Sequence, residues 1–219
     1  MDSGVAGLGD SITNGQGEPM LGVHPQSWVQ WLAQAMDAPF HGLARDGARV
    51  ADVVAEQVPR LRSGYELACV FAGVNDVRAT DWDAEAYARE LGVVVAAAGA
   101  AAGRLLLCTL PEDLGRPTSA PKPAEANAIV RVLGRDAGAV VVELAELAGP
   151  RVMLPDAVHP TALGQVVIAE RAARALGIAA SPLALADVDR SARARARWRV
   201  RRSRLLAEDL VRRAREARG

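Results

Sequence analysis

Val5-Ala6-Gly7-Leu8-Gly9-Asp10-Ser11-Ile12-Thr13 is the stretch from which the rest of the chain is read. A short apolar run passes into a glycine, an aspartate and a serine, the pattern of a buried strand that ends in a turn. In open α/β sheets the turns leaving the carboxyl ends of the strands carry the chemistry. Ser11 is therefore placed to lift its hydroxyl above a sheet edge as a candidate nucleophile. A turn that merely caps the next segment uses the same three residues, so the partners of Ser11 have to come from elsewhere in the chain.

Outward from this stretch, apolar runs recur at residues 4–8, 39–44, 67–72, 104–109 and 139–144. The run around Phe40-His41-Gly42-Leu43-Ala44 is the shortest and most mixed. Between the runs lie segments with helical periodicity: Gln26 to Met36, Ala48 to Leu61, Asp83 to Ala102, Pro121 to Ala137 and Thr161 to Leu176. Alternation of this kind, with strands apolar on both faces, predicts a parallel sheet covered by helices on both sides. Of the 219 residues, 50% are hydrophobic but only 4% aromatic, so the core is built of Ala, Val and Leu, which suits layered α/β packing. Cys69 and Cys108 both fall inside strand runs and read as small buried hydrophobes rather than a disulfide. No apolar window is long enough to span a membrane, and the first strand begins almost at Met1, so the expectation is a cytoplasmic protein.

The formal net charge is zero, yet the charge is segregated. Residues 1–188 carry 14 cationic and 22 acidic side chains, a net of −8, whereas residues 189–219 carry 12 arginines against 4 acids, a net of +8. The expectation is a domain over residues 1–188 and a separate Arg-rich helical extension over 189–219.

On the predicted topology, the loops following the strands share one rim. They contain Ser11, then Asp46-Gly47-Ala48, then Gly73-Val74-Asn75-Asp76, and finally Asp156-Ala157-Val158-His159-Pro160. A serine alcohol needs a general base, most often a histidine oriented by a carboxylate. Of the three histidines, His24 lies in a Gly- and Pro-rich loop and His41 in the second strand, and both read as solvated or packed. His159 stands three residues after Asp156, so one short loop carries both a base and its orienting acid. Acyl transfer also needs donors aimed at the developing oxyanion. The candidates are the backbone N–H groups of Ser11 and Gly47 and the side-chain amide of Asn75. Taken singly, Gly47 and Asn75 are ordinary turn residues.

Together these four blocks resemble the GDSL, or SGNH, hydrolase family of esterases and lipases. The resemblance spans about residues 4–177: Gly9-Asp10-Ser11-Ile12-Thr13, then Gly47, then Gly73-Val74-Asn75-Asp76, then Asp156-Ala157-Val158-His159. It implies a three-layer α/β/α sandwich with a flavodoxin-like, five-stranded parallel sheet. It also implies Ser11 as nucleophile, His159 as base, Asp156 as its orienting acid, an oxyanion hole of Ser11, Gly47 and Asn75, and no metal or organic cofactor. The expected reaction is hydrolysis of a carboxylic ester through an acyl-enzyme. The loops Asn14 to Gln26, Arg78 to Trp82 and Pro111 to Lys122 are expected to line the pocket, with Met20, Leu21 and Trp82 as its apolar contacts. Lacking a long apolar lid, they favour short acyl groups on a small or sugar-like alcohol.

In the extension, Trp198, Leu205, Leu206 and Leu210 form an apolar stripe at helical spacing. Three readings follow: a helix packing on its own acidic domain or on a second subunit, a helix drawn to anionic lipid, or a nucleic-acid contact. The last is the weakest, for want of stacking aromatics beyond Trp198. An alternative for the whole chain is a catalytically quiet scaffold whose tail engages a membrane, nucleic acid or an acidic partner.

Overall fold

The computed structural model describes residues 4–114 and 121–216, so residues 115–120 of the expected pocket loop lie outside it. Five strands, β1 (Val5–Gly9), β2 (Phe40–Gly42), β3 (Tyr65–Phe71), β4 (Ala102–Cys108) and β5 (Val140–Val142), form one sheet of order β2-β1-β3-β4-β5. All four pairings are parallel. Every residue of β1 is buried, and β3 is buried at all but Glu66, as expected of strands with helices on both faces. The edge strands β2 and β5 are three residues each, which keeps unpaired sheet edges short.

After β1 comes a single turn, α1 (Ser11–Asn14), then α2 (Trp28–Ala35). Helix α3 (Val50–Asp52) widens into a π turn over Val53–Gln57 and closes with a 3-10 turn over Val58–Arg60. Pro59, which has no N–H to give, sits where the helix changes register. Helices α4 (Val74–Arg78), α5 (Ala84–Ala101), α6 (Lys122–Asp136), α7 (Ala162–Leu176), α8 (Pro182–Leu185) and α9 (Ala192–Glu216) complete the chain. Helices α2 and α7 pack together, and α5 packs against both α3 and α6. Asp83 caps α5, accepting from the N–H groups of Glu85 at 2.9 Å and Ala86 at 3.0 Å. Aromatic residues are few but central: Trp28 and Phe71 meet edge to face at 6.5 Å inside the core.

The five strands and five long helices read from the periodicity are present, each within a few residues of the expected bounds. Cys69 and Cys108 are free and buried on neighbouring strands, and burial pushes both thiols up, away from reactive thiolate.

The extension is helical, and the face it turns to the body matches the expected stripe only in part, at Trp198 and Leu205. Ala194, Trp198 and Asp209 are buried, and Leu205 is half-buried, whereas Leu206 and Leu210 are 42% and 66% exposed. Arg201, Arg202 and Arg213 also lie on the packed side, so the helix is held by the Arg201–Glu18 ion pair and by loop carbonyls as well as by apolar contact, while Asp209 pairs with Arg213 inside the helix itself. Among the described residues no helix is long and apolar enough to cross a membrane.

Candidate active site

Strand β1 lies between β2 and β3, so successive connections leave it in opposite directions and open a crevice beyond the carboxyl ends of β1 and β3. Ser11 follows the first of these ends and Asn75 the second. Gly9 makes the turn possible: its φ is +144°, and a Cβ there would meet the Phe71 carbonyl oxygen at 2.0 Å. Asp10 caps α1, its Oδ1 accepting from the Ile12 N–H at 2.9 Å.

Two buried glutamines grip this turn. Gln57 Oε1 accepts from the Gly9 N–H at 2.9 Å while its Nε2 donates to the Gly9 carbonyl at 2.8 Å. Gln165, on α7, accepts from the Trp28 N–H at 3.1 Å and donates to the carbonyls of Ile12 at 3.0 Å and Gln16 at 3.2 Å. Backbone groups that a strand-to-helix turn would leave unpaired are satisfied from two sides. Neither glutamine was singled out from the sequence. The one signal available was a polar residue on an otherwise apolar helical face.

Ser11 Oγ lies 3.0 Å from His159 Nε2, and His159 Nδ1 lies 2.7 Å from Asp156 Oδ2. The other oxygen of Asp156 accepts from the backbone N–H groups of Val158 at 2.9 Å and His159 at 3.0 Å. Ala157, between them, takes φ +57°, and this left-handed residue lies within the turn that brings both N–H groups to the carboxylate. Burial opposes ionisation of Asp156, but the His159 ring and the two backbone donors outweigh it and hold the carboxyl at about 2. A carboxylate so held keeps the ring in one orientation and can stabilise the imidazolium as a proton moves. The loop closes on itself: Leu154 N–H donates to the His159 carbonyl and Thr161 N–H to the Val152 carbonyl, each at 2.8 Å.

The same loop is braced by α9. Arg202 Nη1 donates to the carbonyls of Pro150 at 3.1 Å and Met153 at 3.3 Å, and Arg213 Nη2 donates to the Pro155 carbonyl at 3.3 Å. Arg201 pairs with Glu18, whose backbone carbonyl accepts the Ala162 N–H at 2.9 Å. The His159 side chain keeps 21% of its surface open to solvent, so α9 borders the site without sealing it. These arginines were read in the sequence only as a block of charge.

Gly47 sits in its turn at φ +74°. Asn75 Nδ2 donates to the Ala48 carbonyl at 3.0 Å, and Asp76 accepts from the Val50 N–H at 3.2 and 3.3 Å, which ties the turns after β2 and β3 together. Asn14 Nδ2 donates to Asp46 Oδ1 at 2.8 Å, tying the Ser11 turn to the same group. All five expected site residues therefore lie on interlinked loops of one rim. His24 is exposed, and His41, in β2, faces the Tyr65 hydroxyl; neither joins the site.

Two acids flank the centre, Asp10 fully buried and Asp76 half-buried. Burial raises Asp10 to about 7, opposed by the Ile12 N–H and the charge of His159, and raises Asp76 to about 6, opposed mainly by the Val50 N–H. Asp10 Oδ2 is buried with no hydrogen-bond partner among the described residues. Met20 and Leu21 do not serve the site as expected: both line cavities against Trp198, where the loop meets the apolar face of α9. Trp82 does stay beside the rim, its ring tilted against Tyr87 at 5.2 Å and its Nε1–H donating to Glu125. Among the described residues, no cluster of His, Cys, Asp and Glu is arranged to hold a metal ion.

Solved structures that share this architecture include LAE5, an α/β hydrolase enzyme from the metagenome of Lake Arreo, Spain. It is 21% identical with a TM-score of 0.65, over 80% of this chain and 95% of that one. A GDSL-like lipase from Parabacteroides merdae is 19% identical with a TM-score of 0.64, over 81% of this chain and 96% of that one. Axe2, an acetylxylan esterase from Geobacillus stearothermophilus, is 17% identical with a TM-score of 0.62, over 81% and 97%. At these identities the likeness is one of fold. No curated protein matches the sequence. The profile of the GDSL-like lipase/acylhydrolase family matches residues 8–167, which takes in Ser11, Gly47, Asn75, Asp156 and His159. The chain belongs to this family, and with it to the carboxylic ester hydrolases.

Proposed function

We propose that the protein hydrolyses esters of short acyl groups by a two-step mechanism on Ser11. His159 Nε2 takes the Ser11 proton as Oγ attacks the ester carbonyl, and Asp156 holds the ring and balances the imidazolium. The oxyanion is received by the backbone N–H groups of Ser11 and Gly47 and by Asn75. One N–H of the Asn75 amide is engaged by the Ala48 carbonyl, which aims the group and leaves the second for substrate. His159 returns its proton to the leaving alcohol, and water then repeats the sequence on the acyl-enzyme. The observation that carries this reading is the unbroken Ser11–His159–Asp156 line of hydrogen bonds at 3.0 and 2.7 Å.

A polar alcohol portion is supported by a cavity of about 200 Å³ beside Asp76, whose lining includes Arg49, Asp81, Trp82, Tyr87 and Glu90. One aromatic face ringed by charged groups suits a hydroxylated ring better than a fatty chain. The neighbour Axe2 is an esterase of acetylated xylan, in keeping with this choice. Turnover of a chromogenic ester series from acetyl to octanoyl, and of an acetylated sugar, tests the reading. The expected result is preference for acetyl and a loss of about 10⁴-fold or more in Ser11→Ala. Undiminished turnover in Ser11→Ala contradicts the mechanism, and preference for octanoyl contradicts the substrate class.

A further inference from the structure

The packed face of α9 leaves an opposite face that nothing among the described residues covers. Along it run Ala196, Val200, Ser203, Ala207, Leu210 and Ala214, spaced four, three, four, three and four residues apart, which is one stripe of an α-helix. Val200 is 57% exposed and Leu210 66%, and Leu206 and Val211 at the margins are 42% and 52%. Arginines border the stripe on both sides: Arg195 and Arg199 on one, Arg193, Arg197 and Arg204 on the other, all exposed. The helix thus has two unlike faces, one held to the body by Trp198, Arg202 and Arg213, the other apolar along its centre and cationic along both edges.

We propose that this outer face docks on an anionic lipid bilayer, with the apolar stripe entering the headgroup boundary and the flanking guanidinium groups meeting lipid phosphates. A bilayer takes up both features at once: it buries the exposed aliphatic side chains and attracts the charge. Nucleic acid satisfies only the arginines and leaves the stripe in water. Self-pairing through the same stripe sets arginine edges against arginine edges, where like charges repel. The remainder of the chain, with its net charge of −8 over residues 1–188, is repelled by the same surface, so α9 is the face that makes contact. Because the inner face already fixes the helix, the docking surface exists before the membrane is met. Since α9 also borders the Asp156–His159 loop, docking sets the active-site rim beside the bilayer.

The test is cosedimentation of the full chain with vesicles of phosphatidylcholine alone and of phosphatidylcholine with phosphatidylglycerol. The expected result is binding to the anionic vesicles only, lost at high ionic strength. Val200→Ser with Leu210→Ser, and separately Arg193→Gln with Arg204→Gln, are each expected to weaken binding about tenfold. These side chains are solvent-exposed, so circular dichroism and turnover of a soluble ester should stay at wild-type level. Failure to bind anionic vesicles at low ionic strength overturns the proposal. So does binding indifferent to the Val200/Leu210 change, or competed away by duplex DNA, since either outcome reduces the contact to charge alone. A concentration-dependent dimer lost in the Val200/Leu210 variant would instead make a second copy the occupant.

Discussion

Ser11 stands on a turn gripped from below by Gln57 and Gln165, both buried inside the layers of the sandwich, whereas Asp156 and His159 stand on a loop gripped from the side by arginines of α9. The first half of the site is fixed by elements within the family-matched region, residues 8–167; the second half leans on a helix beyond it. The two halves also treat their carboxylates differently. Asp10, beside the nucleophile, is buried with one oxygen unpartnered and is pushed up to about 7. Asp156 has three donors and is held at about 2. The contrast teaches that the same residue type marks either a tolerated cost or a positioned tool, according to the donors around it.

Replacing Asp10 gives the sharpest separation of the halves. Its ordinary value is 3.8 and its folded value about 7, so its favourable contribution is complete below about pH 4 and is lost as pH rises through 7. Asp156 has the opposite sign: its contribution is present above about pH 4 and is lost as pH falls through 2. Asp10→Asn should therefore gain stability over wild type between pH 4 and 8, on the order of 4 kcal/mol at the top of the window. Denaturant unfolding across that range reads the difference, and parallel profiles for the two proteins would remove Asp10 from the account.

Breaking the grip on the nucleophile comes next. Gln57→Leu leaves the Gly9 N–H without its acceptor inside the core, and the expected loss is about 2 to 4 kcal/mol of stability, with turnover falling as the Ser11 turn loosens. A variant as stable as wild type would show that the two bonds to Gly9 are dispensable.

The smallest effect is expected on the other side. Arg202→Ala with Arg213→Ala removes three bonds to the carbonyls of Pro150, Met153 and Pro155 while leaving the core intact. Here kcat should drop about 3- to 10-fold with KM little changed, since the base is displaced but the pocket is not. An unchanged kcat would mean that the loop holds its own geometry without α9.

Much of this was legible in the chain. Alternating apolar runs located all five strands, because a parallel sheet buried on both faces leaves its mark in continuous Val, Leu and Ala. Ser11, Gly47 and Asn75 stood out because each follows a strand end, and His159 because it stands three residues after Asp156. Gln57 and Gln165 did not, since a buried glutamine looks like any other until its two backbone partners, 48 and 153 residues away for Gly9 and Ile12, are seen. The extension misled for a related reason. Periodicity showed that α9 had an apolar stripe, but which stripe met the body depended on Glu18 and on loop carbonyls that no local pattern reveals. Trp198 went inward with Ala194, Leu206 and Leu210 stayed outside, and Met20 and Leu21 were drawn to the helix rather than to substrate.

The most direct measurement of the central claim is covalent capture. The full chain is treated with a fluorophosphonate, digested, and mapped by mass spectrometry. The account predicts one phosphonylated peptide, labelled at Ser11, with labelling abolished in Ser11→Ala and slowed by orders of magnitude in His159→Ala. Labelling of wild type at another serine, or at Ser11 with equal rate in His159→Ala, would contradict it.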